Sequence, residues 1–126
     1  MNVRSAFVGG SNPLERHRLM PQILRTASAL QDLDDIWDSI AIENDRPGAA
    51  SRLMDEMNAA LHLLLAEPHL GEEVNHLRAD TRRWIVHKNY LLFYDVVGDD
   101  IRLLRVLHAA RLIQPEDLGP PETDEA

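Results

Sequence analysis

The sequence predicts an α+β domain: a short N-terminal strand, a two-helix hairpin, then a three-stranded antiparallel meander. Two changes of pattern carry this reading. Between residues 28 and 66 apolar side chains recur at three- and four-residue steps, the period of a buried helix face. Between residues 82 and 107 short runs rich in β-branched and aromatic residues alternate with links of a few polar residues, the mark of hairpins.

The elements follow in order. Ile23 to Ala27 is a short strand candidate. Ser28 reads as a helix N-cap, with Gln31 completing a capping-box pattern. Leu30, Leu33, Ile36, Trp37, Ile40 and Ala41 form one apolar helix face, and Asp32, Asp34, Asp35 and Asp38 fall on other faces or in the first turns, where carboxylates suit the helix dipole. Asn44-Asp45-Arg46-Pro47-Gly48 breaks the pattern, and Pro47 is suited to the first position of a second helix. That helix carries Ala50, Leu53, Met54, Met57, Leu61 and Leu64 and stops before Pro68, which disfavours helix in the residue preceding it. The meander strands are Arg82 to Lys88, Tyr90 to Val97 and Ile101 to Leu107, linked by His87-Lys88-Asn89 and Gly98-Asp99-Asp100. Leu33, Ile36, Leu53, Met57 and Leu61 are expected to pack against the strands containing Trp84 and Phe93. Trp37 and Trp84 read as core anchors, and Tyr94 as a strand residue under the helices.

Residues 1–19 lack periodicity and contain the loop-like cluster Gly9-Gly10-Ser11-Asn12-Pro13, so they are expected to be a flexible extension, or a product of initiation upstream of Met20. The domain spans 20–114, and 115–126 is expected to be an acidic, disordered tail. At 126 residues there is material for one ordinary core. No apolar run approaches the ~20 residues that span a bilayer, nor has the N-terminus a sustained apolar region of the signal-peptide kind. A cytoplasmic protein is the expectation. With no cysteine, disulfides and thiol catalysis are excluded. His62, His69 and His76 fall seven apart but divide between a helix and a loop, so no metal site is expected, nor a cofactor.

The net charge of −8 is unevenly spread: +2 over residues 1–19, −8 over 20–77, +3 over 78–114 and −5 over 115–126. This acidity argues against broad affinity for nucleic acid, which rewards many phosphate contacts.

Several local patterns agree with one known superfamily. Ala29-Leu30-Gln31-Asp32-Leu33-Asp34-Asp35-Ile36 carries an "A..DL..I" helix signature, and Leu64 followed by Pro68 and Gly71 an "L...P..G" helix exit. Leu77-Arg78 gives the "LR" before the sheet, Phe93-Tyr94 the tyrosine strand, and Arg105-Val106-Leu107-His108-Ala109-Ala110-Arg111 an "RVLH..R" last strand. In order and at this spacing, over roughly residues 22–112, they resemble the RelE/ParE toxins of type II toxin–antitoxin systems.

The resemblance implies one of two activities. RelE-like members resemble small metal-independent endoribonucleases that cut mRNA on the ribosome. ParE-like members bind DNA gyrase. RNA cleavage needs proton-transfer groups and cations around the phosphorane. Arg78, Arg82 or Arg83, His108 and Arg111 are the residues available for that, with Arg78, His108 and Arg111 as the catalytic candidates. No Tyr, His, Lys or Arg follows Arg111, however, and the chain is acidic. The ParE-like reading is therefore preferred. It assigns target binding to Arg78, Arg83, His108 and Arg111, expected to converge at one end of the sheet. A third reading is a non-toxic relic of the fold that only pairs with an antitoxin. All three imply a cognate antitoxin and a hetero-oligomer. Its C-terminal segment would add a strand at a sheet edge and lay a helix along the hairpin. The acidic helices favour a segment rich in Lys or Arg.

Overall fold

The structure, a computed structural model, describes residues Met20 to Gly119. The elements are β1 (Ile23–Arg25), α1 (Ala27–Trp37), a π-helical segment (Asp38–Glu43), α2 (Pro47–Ala66), β2 (Glu72–Glu73), β3 (Thr81–Val86), β4 (Tyr90–Val97), β5 (Asp100–His108) and a 3₁₀ turn (Pro115–Leu118). The strands form one sheet in the order β1-β5-β4-β3-β2. β1 runs parallel to β5, and the other pairs are antiparallel. The expected α+β architecture is present, with a fifth strand, the two-residue β2, added at the far edge. Among the described residues no helix is long and apolar enough to cross a membrane.

The first helix begins earlier than Ser28. Thr26 is its N-cap: the hydroxyl accepts the Ala29 N–H (3.0 Å) and donates to the Leu104 carbonyl (2.8 Å). One side chain thus satisfies a helix end and the open edge of β5. β1 covers that edge only from Ile101 to Leu103, and α1 continues where the strand stops. Asp32 takes the next free donor, the Val106 N–H, at 2.9 Å. Asp32, expected off the apolar face or in the first turns, is buried against β5, whereas Leu30, assigned to the apolar face, is 49% exposed.

α1 does not end in a sharp break. It widens into the π segment, closed by the Asn44 N–H to the Ser39 carbonyl, and the chain reverses at Asp45 with φ +55°. Pro47 starts α2 as expected, and α2 ends at Ala66, ahead of Pro68. The Pro68-to-Gly71 spacing then has a physical reason. The Tyr94 hydroxyl donates to the Pro68 carbonyl (2.7 Å) and accepts the Gly71 N–H (2.9 Å). A Cβ at Gly71 would come within 2.9 Å of the Arg83 carbonyl oxygen, so only glycine fits this close approach. Burial pushes the Tyr94 phenol above its ordinary pKa, which keeps the hydroxyl a donor.

β4 reads as a continuous apolar run because both of its faces are covered. On the helix side, Leu92 and Tyr94 pack with Val86, Leu103 and Val106 beneath Leu53, Met57, Leu61 and Leu64, and Trp84 packs half-buried against this core. Trp37 is also half-buried. On the other side, Leu91 and Phe93 pack with Val74, Leu104, Leu107 and Leu118. Phe93 thus faces away from the helices, and its strand meets them through the alternate residues Leu92 and Tyr94, with Tyr94 under the helices as expected. The register of β4 against β5 steps between Phe93 and Tyr94, which leaves Leu104 as an extra, bulged residue on this second face.

The second core also corrects the reading of the tail. Pro115–Leu118 is ordered, with Leu118 only 4% exposed and Asp117 capping its own turn by accepting the Gln114 N–H. The expected disorder therefore does not begin at 115. The rest of that assignment, 120–126, and the extension 1–19 lie outside the described residues.

Candidate functional site

The four residues assigned to target binding come from different parts of this frame. Arg78 precedes β3 and is buried, 6% exposed, with Nη1 donating to Asp95 Oδ2 (3.1 Å) and Thr81 Oγ1 (3.0 Å). Asp95 is also held by Arg102, through Nε (3.0 Å) and Nη2 (2.7 Å). Arg78 is thus part of a buried Arg–Asp–Arg bridge under the second core, and is withdrawn from any partner. Arg83 lies half-buried on β3 and donates from Nε to Glu72 Oε1 across the β2–β3 pair (2.8 Å).

His108 ends β5 and is exposed. Its Nδ1 accepts the Ala110 N–H (3.0 Å), which leaves the proton of the neutral ring on Nε2, and its ring stands edge-on to Tyr90 at 5.4 Å between centroids. Arg111 turns back within three residues, its N–H bonded to the His108 carbonyl, and its Nη2 donates to Asp117 Oδ1 (2.8 Å).

The expected convergence therefore fails for two of the four. His108 and Arg111 are neighbours. The strand register sets Tyr90 opposite His108 and Asp95 opposite Arg102, so the Arg78 bridge lies five residues farther along β4, about 17 Å at ~3.3 Å per residue. Arg83 is two strands from β5, opposite Phe93.

A residue pair that sequence reasoning missed holds the sheet to α1. Arg105 on β5 makes a two-pronged contact to Asp32, Nε to Oδ2 at 2.7 Å and Nη2 to Oδ1 at 2.9 Å, and its Nη1 donates to the Asp117 carbonyl (2.8 Å). The bond to Asp32 holds the guanidinium above its ordinary pKa. The partners lie 73 residues apart. The only local sign was an aspartate one position from the apolar stripe of α1.

Among the described residues, two surfaces suit the added strand and helix expected of an antitoxin. β2 pairs only with Arg82 and Arg83, so the β3 edge from Trp84 to Val86 has no strand beside it among the described residues. Here Leu70 (45% exposed) and Ile85 (55% exposed) border a cavity of about 240 Å³. The other surface is the hairpin. Its cleft between Leu33, Met54 and Met57 holds only about 70 Å³, room for a side chain, so a helix would have to lie over it rather than in it. Arg25 also lines that cleft, and the two helices expose the carboxylates Asp34, Asp35, Asp38 and Asp55.

Comparison with known proteins agrees with this geometry. Residues 23–113 match the family described as ParE toxin of type II toxin–antitoxin system, parDE. The chain is 31% identical over 88 residues to Toxin ParE3 of Caulobacter vibrioides, covering 70% of this chain and 86% of that one. In fold it is similar to a chain of the chromosomal ParDE toxin–antitoxin system from P. aeruginosa, with a TM-score of 0.55 and 23% identity over 71% of this chain and 96% of that chain.

Proposed function

Since the chain belongs to the ParE toxin family of type II toxin–antitoxin systems, we propose that it arrests growth in the cytoplasm by binding DNA gyrase, and that a cognate antitoxin holds it inactive. One observation supports binding over RNA cleavage. Arg78, a cation that a nuclease would turn toward a phosphorane, is buried and paired with Asp95, and the more exposed Arg83 and Arg111 are paired with Glu72 and Asp117. A cation so neutralised contributes little to a dianionic transition state.

The antitoxin reading rests on the open β3 edge, which offers backbone groups and an apolar border to an added strand. The acidic outer face of the hairpin suits a Lys- or Arg-rich helix from the same partner.

The exposed His108 beside Tyr90 is the one arrangement that favours a nuclease, because it could transfer a proton, and it is the place to test. With function by binding, His108→Gln should arrest growth on expression to within a few-fold of wild type. Primer extension on mRNA from the arrested cells should find no codon-spaced cuts. Such cuts in wild type, weakened roughly 10²–10⁴-fold in His108→Gln, would put the chain among the RelE-like nucleases.

A further inference from the structure

Among the described residues, six of nine arginines are paired with carboxylates, and two of the remaining three share one cleft. The cleft lies between the start of α2 and the β3–β4 turn and has a volume of about 330 Å³. Ile40, Leu53 and Tyr90 give it apolar walls, while Arg46, Arg52 and His87 line it with charge and hydrogen-bonding capacity. The one carboxylate lining it, Glu56, is bonded to His87 Nδ1 at 2.9 Å. Arg46 and Arg52 have no ion-pair partner among the described residues. The Arg52 guanidinium folds back over Gly48, 3.6 Å from where its Cβ would be, toward the end of α2 that carries Arg46.

The backbone around the cleft is held in an uncommon state. Of the four non-glycine residues with left-handed φ, His87 at +57° lines it, and Asp45 at +55° and Lys88 at +64° are chain neighbours of residues that line it. Glycine or asparagine would adopt these conformations more readily. The hairpin instead keeps two basic side chains at its tip. Arg46 and Arg52 together outnumber the one carboxylate of the cleft, Glu56, which is engaged by His87, so an arriving anion could accept from both guanidinium groups.

We propose that this cleft is a docking site for an acidic segment of a partner protein, with one large apolar side chain seated on Ile40, Leu53 and Tyr90 and flanking carboxylates on Arg46 and Arg52. Charge complementarity and the apolar walls together select a peptide of this kind over the nucleic-acid backbone, which would use the arginines and leave the walls uncovered. The site is separate from the β3 edge and does not depend on which enzyme the toxin inhibits.

The test uses the full chain and two fluorescein-labelled peptides, one with aspartates around a central tryptophan and one with asparagine at each aspartate. The acidic peptide should bind saturably by fluorescence anisotropy, and the asparagine peptide at least about 10-fold more weakly. Arg46→Ala/Arg52→Ala should weaken the acidic peptide by a similar factor, and Arg46→Lys/Arg52→Lys should recover part of the loss. Unchanged circular dichroism and melting temperature would show that the variants are folded. Absence of saturable binding, equal binding by the alanine variant, or tighter binding of a short duplex DNA than of the acidic peptide would each overturn the proposal.

Discussion

Replacing Asp32 with alanine should lower the free energy of unfolding by about 3–5 kcal/mol, the range for removing one partner of a buried ion pair. The Asp32 carboxylate accepts two bonds from Arg105 and one from the Val106 N–H, so its loss strands a guanidinium and a backbone donor together. The clamp joins α1 to the open edge of β5, and no strand stands ready to replace it. Asp32→Asn keeps an acceptor oxygen and should lose roughly half as much. Asp34→Ala, on the solvent face of the same helix, should change stability by less than about 0.5 kcal/mol. Urea denaturation of the three variants measures this, and equal losses at Asp32 and Asp34 would dismiss the clamp.

The second large effect lies in the core beneath the helices. Leu61→Ala should cost about 2–5 kcal/mol, because Leu61 is 3% exposed within the core beneath the helices. Leu33→Ala should cost clearly less, since Leu33 is only half-buried and less of its side chain leaves water on folding. Chemical denaturation of both variants tests the ranking. A larger loss at Leu33 would mean that α1, rather than α2, covers the centre of the sheet.

Much of the fold was legible because its signals are local. Pro47 fixes the start of α2, Pro68 bounds its end, and the run Tyr90–Val97 is β4 to the residue. The readings that failed depend on partners distant in sequence. Ser28 and Thr26 are equally good caps on paper, and Thr26 prevails because its hydroxyl also reaches Leu104, 78 residues away. The burial of the Phe93 face of β4 has no sign in the sequence, because the second layer that covers it, Val74 and Leu118, comes from loops with no periodicity. Leu118 itself was hidden by acidic neighbours that read as a solvated tail.

The site shows the same division. His108 and Arg111 adjoin because they sit three residues apart. Arg78 and Arg83 were grouped with them by charge alone, and their fate was decided by Asp95 and Glu72, whose positions depend on strand register. Arg46 and Arg52 drew no notice in the sequence, since two arginines in an acidic helix hairpin look like solvated charges. Only the turn at Asp45 and the hairpin tip at His87 bring them to one cleft.

Gyrase-catalysed supercoiling of relaxed plasmid tests most directly the proposal that this toxin acts by binding gyrase. Purified chain titrated into the reaction should abolish supercoiling or accumulate cleaved plasmid in a dose-dependent way, and adding the cognate antitoxin should restore activity. Full supercoiling at saturating toxin, under conditions where the same preparation cuts ribosome-bound mRNA, would contradict it.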